Sequence, residues 1–192
     1  MKAVSLNGSS QYLTITPVAG LELTNITVCV WFKKTSSSGV YDIFNYMPKG
    51  AHGDGRGYAL ASNASNDRVY WGDNDGSWAA VNGPAPNTSW KFMMFTFNGT
   101  VGELLINNSV SGNIADGLGY TDGGGTNPNQ KYCLIGTMYN AGFSNYFNGL
   151  ITGLAIFNKV LDSTERAWIY NSGKVRDYRG AAFWSNCKLY LP

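Results

Sequence analysis

The feature that most constrains this chain is its division into many short apolar segments, each bounded by Asn, Gly, Asp or Ser. Such segments, rich in β-branched and aromatic residues, are typical of strands joined by tight turns. ITVCVWF places Ile26, Val28 and Val30 on one face, while WKFMMFTF at 90–97 is almost wholly apolar and predicts a central strand. The predicted strands are 3–6, 11–15, 26–32, 40–46, 58–61, 68–71, 77–81, 90–97, 103–106, 132–135 and 147–157, with a further candidate at 188–191.

One segment, residues 163–171, carries clear helix signals. Asp162 and Glu165 have the spacing of a capping box, and Gly173 is the residue expected to end the helix. One short helix among about a dozen strands predicts an all-β protein. A chain of 192 residues, 44% of them hydrophobic, can bury the core of one such domain. We assign the domain to residues 1–173 and a tail to residues 174–192.

The composition excludes several classes of protein. Charged residues make up 14% of the chain, the net charge is +2, and no run of Lys or Arg offers an electrostatic surface for nucleic acid. No apolar stretch reaches the roughly 18 residues of a membrane-spanning helix. Cys29, Cys133 and Cys187 are an odd number without zinc-site spacing, so we predict free thiols, the first two buried.

Six Asn residues head Asn-x-Ser/Thr sequences, which are potential glycosylation sites. They are Asn7, Asn25, Asn63, Asn87, Asn98 and Asn107. Several fall at predicted turns, where an Asn side chain bonds to the backbone a few residues further on. We therefore interpret them as unmodified turn residues.

Six motifs resemble, in order, the segments of the laminin-G-like, or concanavalin A-like, jelly roll. They are AVSLNGSSQYLTI, LTNITVCVWFKK, GYAL, NTSWKFMMFTFNGTVGELLINNSV, YCLIGTM and YFNGLITGLAIFNKVLDSTERAWIYNSG. The resemblance covers residues 3–173 and implies a β-sandwich of two antiparallel sheets with one short C-terminal helix. It implies no single function, because this fold carries lectins, hydrolases, adhesins and structural modules.

The resemblance also implies an acidic pair after the Phe-x-Gly-x-Ile motif, whose Asp often supports a calcium ion. Thr152 and Gly153 stand there instead, and a hydroxyl is a poor ligand for a hard cation. The stretch DNDG at 73–76 begins like an EF-hand loop, but Pro84 stands where the bidentate Glu is needed. We predict no cofactor, with a lone calcium ion held by the carboxylates and carbonyls of DNDG as the alternative.

The sequence lacks the residues of the common hydrolytic mechanisms. His52 is the single histidine and lies in a glycine-spaced loop, where Asp54 is too close in sequence to be an evident partner in a Ser–His–Asp triad. Concanavalin-like glycoside hydrolases carry two or three carboxylates on one strand, whereas Glu22, Glu103 and Glu165 are isolated. We therefore predict that the protein is not an enzyme.

Loop aromatics beside Asn and Asp are the candidates for ligand contacts. A lectin site is shallow, with an aromatic face stacked on a sugar and polar groups bonded to the sugar hydroxyls. The alternatives are that these aromatics cap the edge of the core or contact another protein. The candidate ligand-binding residues are Trp71, Asp73, Asp75, Trp78, Tyr120, Asp122, Tyr139, Asn140, Phe143 and Asn145.

Low charge, abundant Gly and Asn, and a start without a secretory signal suit a virion component. Our first hypothesis is a non-enzymatic capsid-decoration or fibre protein of a bacteriophage, assembled in the host cytoplasm. Its partners would be other virion proteins or sister subunits, with surface glycans as a further ligand. The alternative is a soluble or secreted carbohydrate-binding lectin module that acts outside the cell.

The tail has two expected roles, since apolar residues continue to the end of the chain. It adds a strand to the sheet, or it docks on a partner or a sister subunit. The candidate docking residues are Phe183, Trp184, Tyr190 and Leu191.

Overall fold

The computed structural model describes residues 2–16, 21, 24–48, 57–72, 78–115, 131–139 and 142–192. In this part of the chain, strands and turns alternate, and one α-helix follows the long penultimate strand. The strands are β1 (Val4–Asn7), β2 (Leu13–Ile15), β3 (Ile26–Lys34), β4 (Tyr41–Pro48), β5 (Gly57–Ser62), β6 (Asp67–Gly72), β7 (Trp78–Asn82), β8 (Lys91–Phe97), β9 (Val101–Ile106), β10 (Ser109–Ala115), β11 (Lys131–Ile135), β12 (Met138–Tyr139), β13 (Phe143–Ser144), β14 (Asn148–Phe157) and β15 (Cys187–Leu191). The helix α1 is Ser163–Tyr170.

The strands form two antiparallel sheets that face each other. The large sheet has the order β1-β14-β3-β8-β9-β10, with β15 also paired to β14. The small sheet has the order β2-β11-β4-β5-β6-β7, and β12 pairs with β13 in a separate hairpin. Strands distant in sequence are neighbours in both sheets, as in a jelly roll. This architecture confirms the all-β, two-sheet sandwich with one short C-terminal helix.

Alternate residues of the facing strands fill the space between the sheets. On β3 the side chains of Val28, Val30 and Phe32 belong to this core and are buried. From the small sheet, Trp71 of β6 packs against Phe97 of β8, with ring centroids 4.3 Å apart. The core therefore joins central strands of the two sheets, as the apolar patterns of β3 and β8 predict.

One end of the core is closed by buried charged groups. Lys91 of β8 donates to Asp67 of β6 at 2.5 Å, and the Ser62 hydroxyl donates to the other Asp67 oxygen at 2.6 Å. Lys34 of β3 donates to the Ser62 hydroxyl at 2.9 Å. Because removing one partner of a buried ion pair costs about 3–5 kcal/mol, this network ties the two sheets together at that end.

Helix and tail cover the outward face of the large sheet. Trp31 and Phe92 lie on this face and form a second apolar cluster with Ile169 of α1 and with Tyr178 and Phe183 of the tail. The tail also supplies β15, whose Tyr190 pairs with Ala155 of β14. The sheet therefore buries apolar residues on both of its faces.

The tail residues proposed for partner docking pack within the chain itself. Phe183 is 7% exposed, and its ring lies 5.6 Å from that of Phe157. Trp184 and Tyr190 are half-buried, with ring centroids 5.4 Å apart, and Leu191 pairs with Leu154 and packs against the main core. These side chains are occupied because the outward face of the large sheet is apolar and needs a cover. Of the two roles expected for the tail, the structure shows the added strand.

The helix begins at its predicted capping box. Asp162 accepts a bond from the Glu165 backbone at 2.9 Å, and Glu165 accepts one from the Asp162 backbone at 3.0 Å. The helix ends one residue earlier than predicted, at Tyr170, with Asn171 as the C-cap at φ 49°, so Gly173, expected directly after the cap, lies two residues beyond it. Asn tolerates this left-handed conformation because its short polar side chain bonds locally.

Turn chemistry accounts for most of the Asn-x-Ser/Thr sequences. The side-chain oxygens of four of these Asn residues accept bonds from backbone N–H groups two or three residues further on, as interpreted from the sequence: Asn7, Asn63, Asn87 and Asn98. Asn107 instead accepts a bond from the backbone of Phe92 at 3.0 Å. Strands β10, β12 and β13 are missing from the prediction, since SVSGNIA has few apolar residues and the other two strands have two residues each.

The thiols are free, and those of Cys29 and Cys133 are buried, as predicted. Burial raises the pKa of the Cys133 thiol to about 12. Within the described residues, the eight-residue α1 falls far short of a membrane-spanning helix.

Candidate functional site

In the described part of the chain, the outward face of the small sheet carries no apolar layer like the one that α1 and the tail form on the large sheet. Arg68 and Tyr70 of β6 face outward, because the residues that alternate with them fill the core. On the neighbouring β5 the outward residues are Gly57, Ala59 and Ala61, none of which has a side chain beyond Cβ. Strand β5 is therefore lower than the longer side chains of β4 and β6, and its outward residues Ala59 and Ala61 are each 1% exposed.

Five aromatic rings cluster at the β11 side of the small sheet, and we call them the aromatic patch. They are Tyr12, Tyr132, Tyr139, Phe143 and Tyr146. Phe143 stacks on Tyr12 with ring centroids 4.6 Å apart and makes an edge contact with Tyr139 at 5.2 Å. Phe143 is nevertheless 37% exposed. The rings thus orient one another while leaving aromatic surface to solvent.

Polar contacts fasten the β12–β13 hairpin, which carries two rings of the patch, to β4. Asn145 donates from Nδ2 to Asp42 Oδ2 at 2.8 Å, and the Asp42 backbone donates to the Asn145 carbonyl at 3.1 Å. Asn45 donates from Nδ2 to the Thr137 carbonyl at 2.9 Å. Asn145 has φ 53°, a conformation that Asn adopts more readily than most residues. These bonds set the position of the hairpin on the sheet.

Asp42 is a buried acid at the centre of this arrangement. Burial raises the pKa of its carboxyl to about 6, against the opposing effects of hydrogen bonds from Asn145 and Asn45 and of the Arg68 charge. Burial also raises the pKa of the Tyr70 hydroxyl, with Arg68 lowering it and Asp42 raising it. The outward face of the small sheet therefore carries charged and polar groups whose charges influence one another.

The predicted ligand-binding residues fall into four groups. Tyr139, Phe143 and Asn145 come together at the aromatic patch and its anchor. Trp71 is 1% exposed within the core, so no face of its ring is available to a ligand, and it has the core role left open as the alternative. Trp78 is the first residue of β7. Asp73, Asp75, Tyr120, Asp122 and Asn140 lie outside the described residues, as does the DNDG stretch considered for calcium.

Several residues of this face could not be identified from the sequence. Strand alternation alone places Tyr132 and Tyr70 outward, but the sequence does not say which outward face is covered. Tyr12 and Tyr146 lie far apart in the chain, and only the fold brings both rings to Phe143 or to each other. No sequence motif identifies Arg68 as a functional residue.

The carboxylates of the described residues have structural partners. Asp42 and Asp67 are bonded to Asn145 and Lys91, while Glu103 is bonded to Arg166 at 3.0 Å. The remaining three act at the helix start or in the tail: Asp162, Glu165 and Asp177. No cluster of three or more metal-ligating side chains occurs among the described residues. Thr152 donates to the Lys2 carbonyl at 3.3 Å.

A jelly roll with aromatic rings beside polar groups on one outward face defines a lectin-like β-sandwich. The chain belongs to the concanavalin A-like lectin/glucanases superfamily, whose laminin-G-type family model matches residues 7–165. This match confirms the resemblance that the sequence motifs carry. Among curated proteins, no significant sequence match is found.

Solved structures share the fold at low sequence identity. The CBM40 of the Ruminococcus gnavus IT-sialidase, bound to α2,3-sialyllactose, has a TM-score of 0.70 and 14% identity over 88% of this chain and 97% of that one. Domain 4 of an extracellular arabinanase from Geobacillus stearothermophilus, in complex with arabinotriose, has 0.67 and 18% over 88% and 76%. A leech intramolecular trans-sialidase has 0.68 and 14% over 93% of this chain and 28% of its own. At these identities the likeness shows the fold alone.

Proposed function

We propose that this protein is a non-catalytic carbohydrate-binding module that holds glycans on the outward face of its small sheet. The observation that carries the proposal is the aromatic patch, where Phe143 is exposed although three other rings contact it. A sugar ring presents C–H groups on one face, and these pack well on an aromatic surface. A protein that keeps such rings at its surface has a candidate binding site there.

The anchoring of the patch supports a binding role. The hairpin that carries Tyr139 and Phe143 is bonded to β4 through Asn145 and Asp42, so the rings are held in place before a ligand arrives. Preorganisation of this kind lowers the entropy lost on binding. The two fold relatives whose solved structures contain sialyllactose and arabinotriose lend further support.

A non-catalytic role agrees with the carboxylates that the structure describes. Glycoside hydrolysis needs two carboxyl groups placed on either side of one bond. Asp42 and Asp67 are buried in separate hydrogen-bonded networks, and Glu103 is paired with Arg166. The virion role expected from composition has no support in the fold relatives or in the described residues, and the carbohydrate-binding alternative is the better supported hypothesis.

The test is glycan binding by variants of the aromatic patch. The purified protein is screened on a glycan array, and each hit is measured by titration calorimetry. We expect Phe143→Ala and Tyr139→Ala to weaken binding at least about fivefold, since aromatic stacking contributes about 1–3 kcal/mol in comparable contacts. Trp90→Ala is the matched control, because Trp90 is also aromatic and 38% exposed but precedes β8 of the large sheet. Equal affinities for the wild type and both patch variants would falsify the proposed site.

A further inference from the structure

We infer that protonation of Asp42 regulates the aromatic patch, so that the protein binds its glycan more tightly in mildly acidic solution than at neutral pH. The inference rests on the proposed function, because it concerns the regulation of the same site. It starts from the way in which the β12–β13 hairpin, which carries Tyr139 and Phe143, is attached to the small sheet.

Within the described residues, one acid takes part in the attachment of this hairpin. Asn145 directly follows β13 and donates from Nδ2 to Asp42 Oδ2 at 2.8 Å, while the Asp42 backbone donates to the Asn145 carbonyl at 3.1 Å. Each strand of the hairpin has two residues, so the hairpin contributes few backbone bonds of its own. The position of the rings of Tyr139 and Phe143 therefore depends on the contact between Asn145 and Asp42.

The surroundings of Asp42 favour a neutral carboxyl group. Asp42 is 4% exposed, and no described cation lies within 4.0 Å of its carboxyl group. The groups that face it are the neutral amides of Asn45 on its own strand and Asn145 from the hairpin, an alanine on β5, and Arg68 and Tyr70 on β6. Burial outweighs the amide bonds and the more distant Arg68 charge, and it raises the pKa of Asp42 to about 6.

An unpaired acceptor in the same cluster agrees with a protonated carboxyl group. Asn45 is 1% exposed, and its Nδ2 donates to the Thr137 carbonyl at 2.9 Å. Its Oδ1 has no hydrogen-bond partner among the described residues, which is uncommon for a buried polar atom. The neutral form of Asp42 carries an O–H group, the kind of donor that this acceptor lacks, whereas a carboxylate only accepts.

The direction of the effect follows from the exposure of Asp42 in two states of the hairpin. When the hairpin is attached, Asp42 is buried and its pKa is about 6. When the hairpin detaches, Asn145 leaves and water reaches the carboxyl group, whose pKa falls toward the ordinary 3.8. A proton therefore binds more tightly to the attached state, and a fall in pH shifts the population toward that state. Glycan affinity rises with it, because Phe143 stacks on Tyr12 in the attached state.

The two pKa values of Asp42 set an upper limit on the effect. Between pH 7.5 and pH 5 they allow at most about a tenfold change in the equilibrium between attached and detached hairpin. Bonds that do not titrate also hold the hairpin: Thr137 Oγ1 donates to the Ser144 carbonyl at 2.7 Å, and the Phe147 backbone donates to the Gly136 carbonyl at 2.8 Å. Since these bonds keep part of the population attached at pH 7.5, we expect about threefold tighter glycan binding at pH 5.

The experiment measures glycan affinity at pH 5 and at pH 7.5 by titration calorimetry. The probes are lactose, cellotriose, xylotriose and mannotriose, which carry no ionisable group in this range, so that the pH effect belongs to the protein. The wild type should bind at least one probe about threefold more tightly at pH 5. Asp42→Asn, whose amide is neutral and offers both an acceptor and a donor, should have the same affinity at the two pH values, close to that of the wild type at pH 5.

Two control variants remove other groups that titrate below neutral pH. Asp177→Asn removes an exposed carboxyl group of the tail, and His52→Gln removes the single histidine, which lies outside the described residues. Both should keep the ratio between the affinities at the two pH values. Circular dichroism confirms that each variant is folded.

A further measurement needs no variant. Since a proton and a glycan both favour the attached hairpin, glycan binding by the wild type at pH 6 should take up protons. Calorimetry in buffers of different ionisation enthalpy detects this uptake. Binding without any proton uptake contradicts the inference.

The outcomes separate this inference from the proposed function. If the wild type binds a probe equally well at both pH values, or if Asp42→Asn keeps the wild-type ratio, the inference fails and the proposed function stands. If His52→Gln abolishes the ratio, the histidine and not Asp42 causes it, and the inference fails. If no probe and no glycan of the array binds at either pH, the proposed function fails and the inference fails with it.

Discussion

The two outward faces of the sandwich differ in what covers them. The large sheet places Trp31 and Phe92 outward, and the chain uses Tyr178 and Phe183 to bury them. The small sheet has small, polar and charged residues along β5 and β6, with the aromatic patch beside them, among them the exposed Phe143. An outward face that the chain seals with its own helix and tail serves stability, whereas aromatic rings left at the surface are available to a ligand.

The strongest test of this comparison makes the same substitution on each face. Phe183→Ala should lower the free energy of unfolding by about 3–5 kcal/mol, since it leaves a cavity in the large-sheet cluster. Phe143→Ala should change it by less than about 1 kcal/mol, because the ring is already partly in solvent. Urea unfolding followed by tryptophan fluorescence measures both. Similar losses of unfolding free energy for the two variants would show that the small-sheet face contributes to stability as much as the large-sheet face.

The second prediction concerns the pH dependence of stability. Among the described residues, the small-sheet face holds a buried carboxyl group and the large-sheet face does not. The pKa of Asp42 is about 6 in the folded protein against 3.8 for the ordinary side chain. Between these values the folded state binds more protons than the unfolded state, so the free energy of unfolding falls as pH rises from about 4 to about 6. The total fall is at most about 3 kcal/mol, and it is complete above about pH 6.

Asp42→Asn should remove that fall, which urea unfolding at several pH values measures. Asp177→Asn is the control on the tail, where bonds from the Arg179 side chain and backbone hold the pKa of the exposed Asp177 carboxyl below its usual range. The lowered pKa of Asp177 changes stability in the opposite direction, since the stabilisation that it gives is lost as pH falls. Asp177→Asn should therefore leave the fall between pH 4 and 6 unchanged. A fall that persists in Asp42→Asn would mean that another group causes it.

The sequence predicts the sandwich better than the site, for a physical reason. Alternation and turn chemistry act over a few residues, so β3, β8, the cap at Asp162 and the turn at Asn98 are readable locally. Which outward face the tail covers is decided by contacts between distant residues such as Phe157 and Phe183. The same long-range dependence sends Trp71 into the core.

The smallest effect tests whether the aromatic patch depends on its anchor. Asn145→Gly keeps the positive φ, because Gly adopts it without strain, but removes the bond to Asp42. We expect a loss of about 1 kcal/mol in stability and about fivefold weaker glycan binding, as the hairpin becomes less ordered. Asn171→Gly is the matched control, since Asn171 also has a positive φ and bonds Lys174 at the end of α1, away from the small sheet. If both variants reduce glycan binding equally, the anchor has no specific role, and the patch owes its position to ring packing alone.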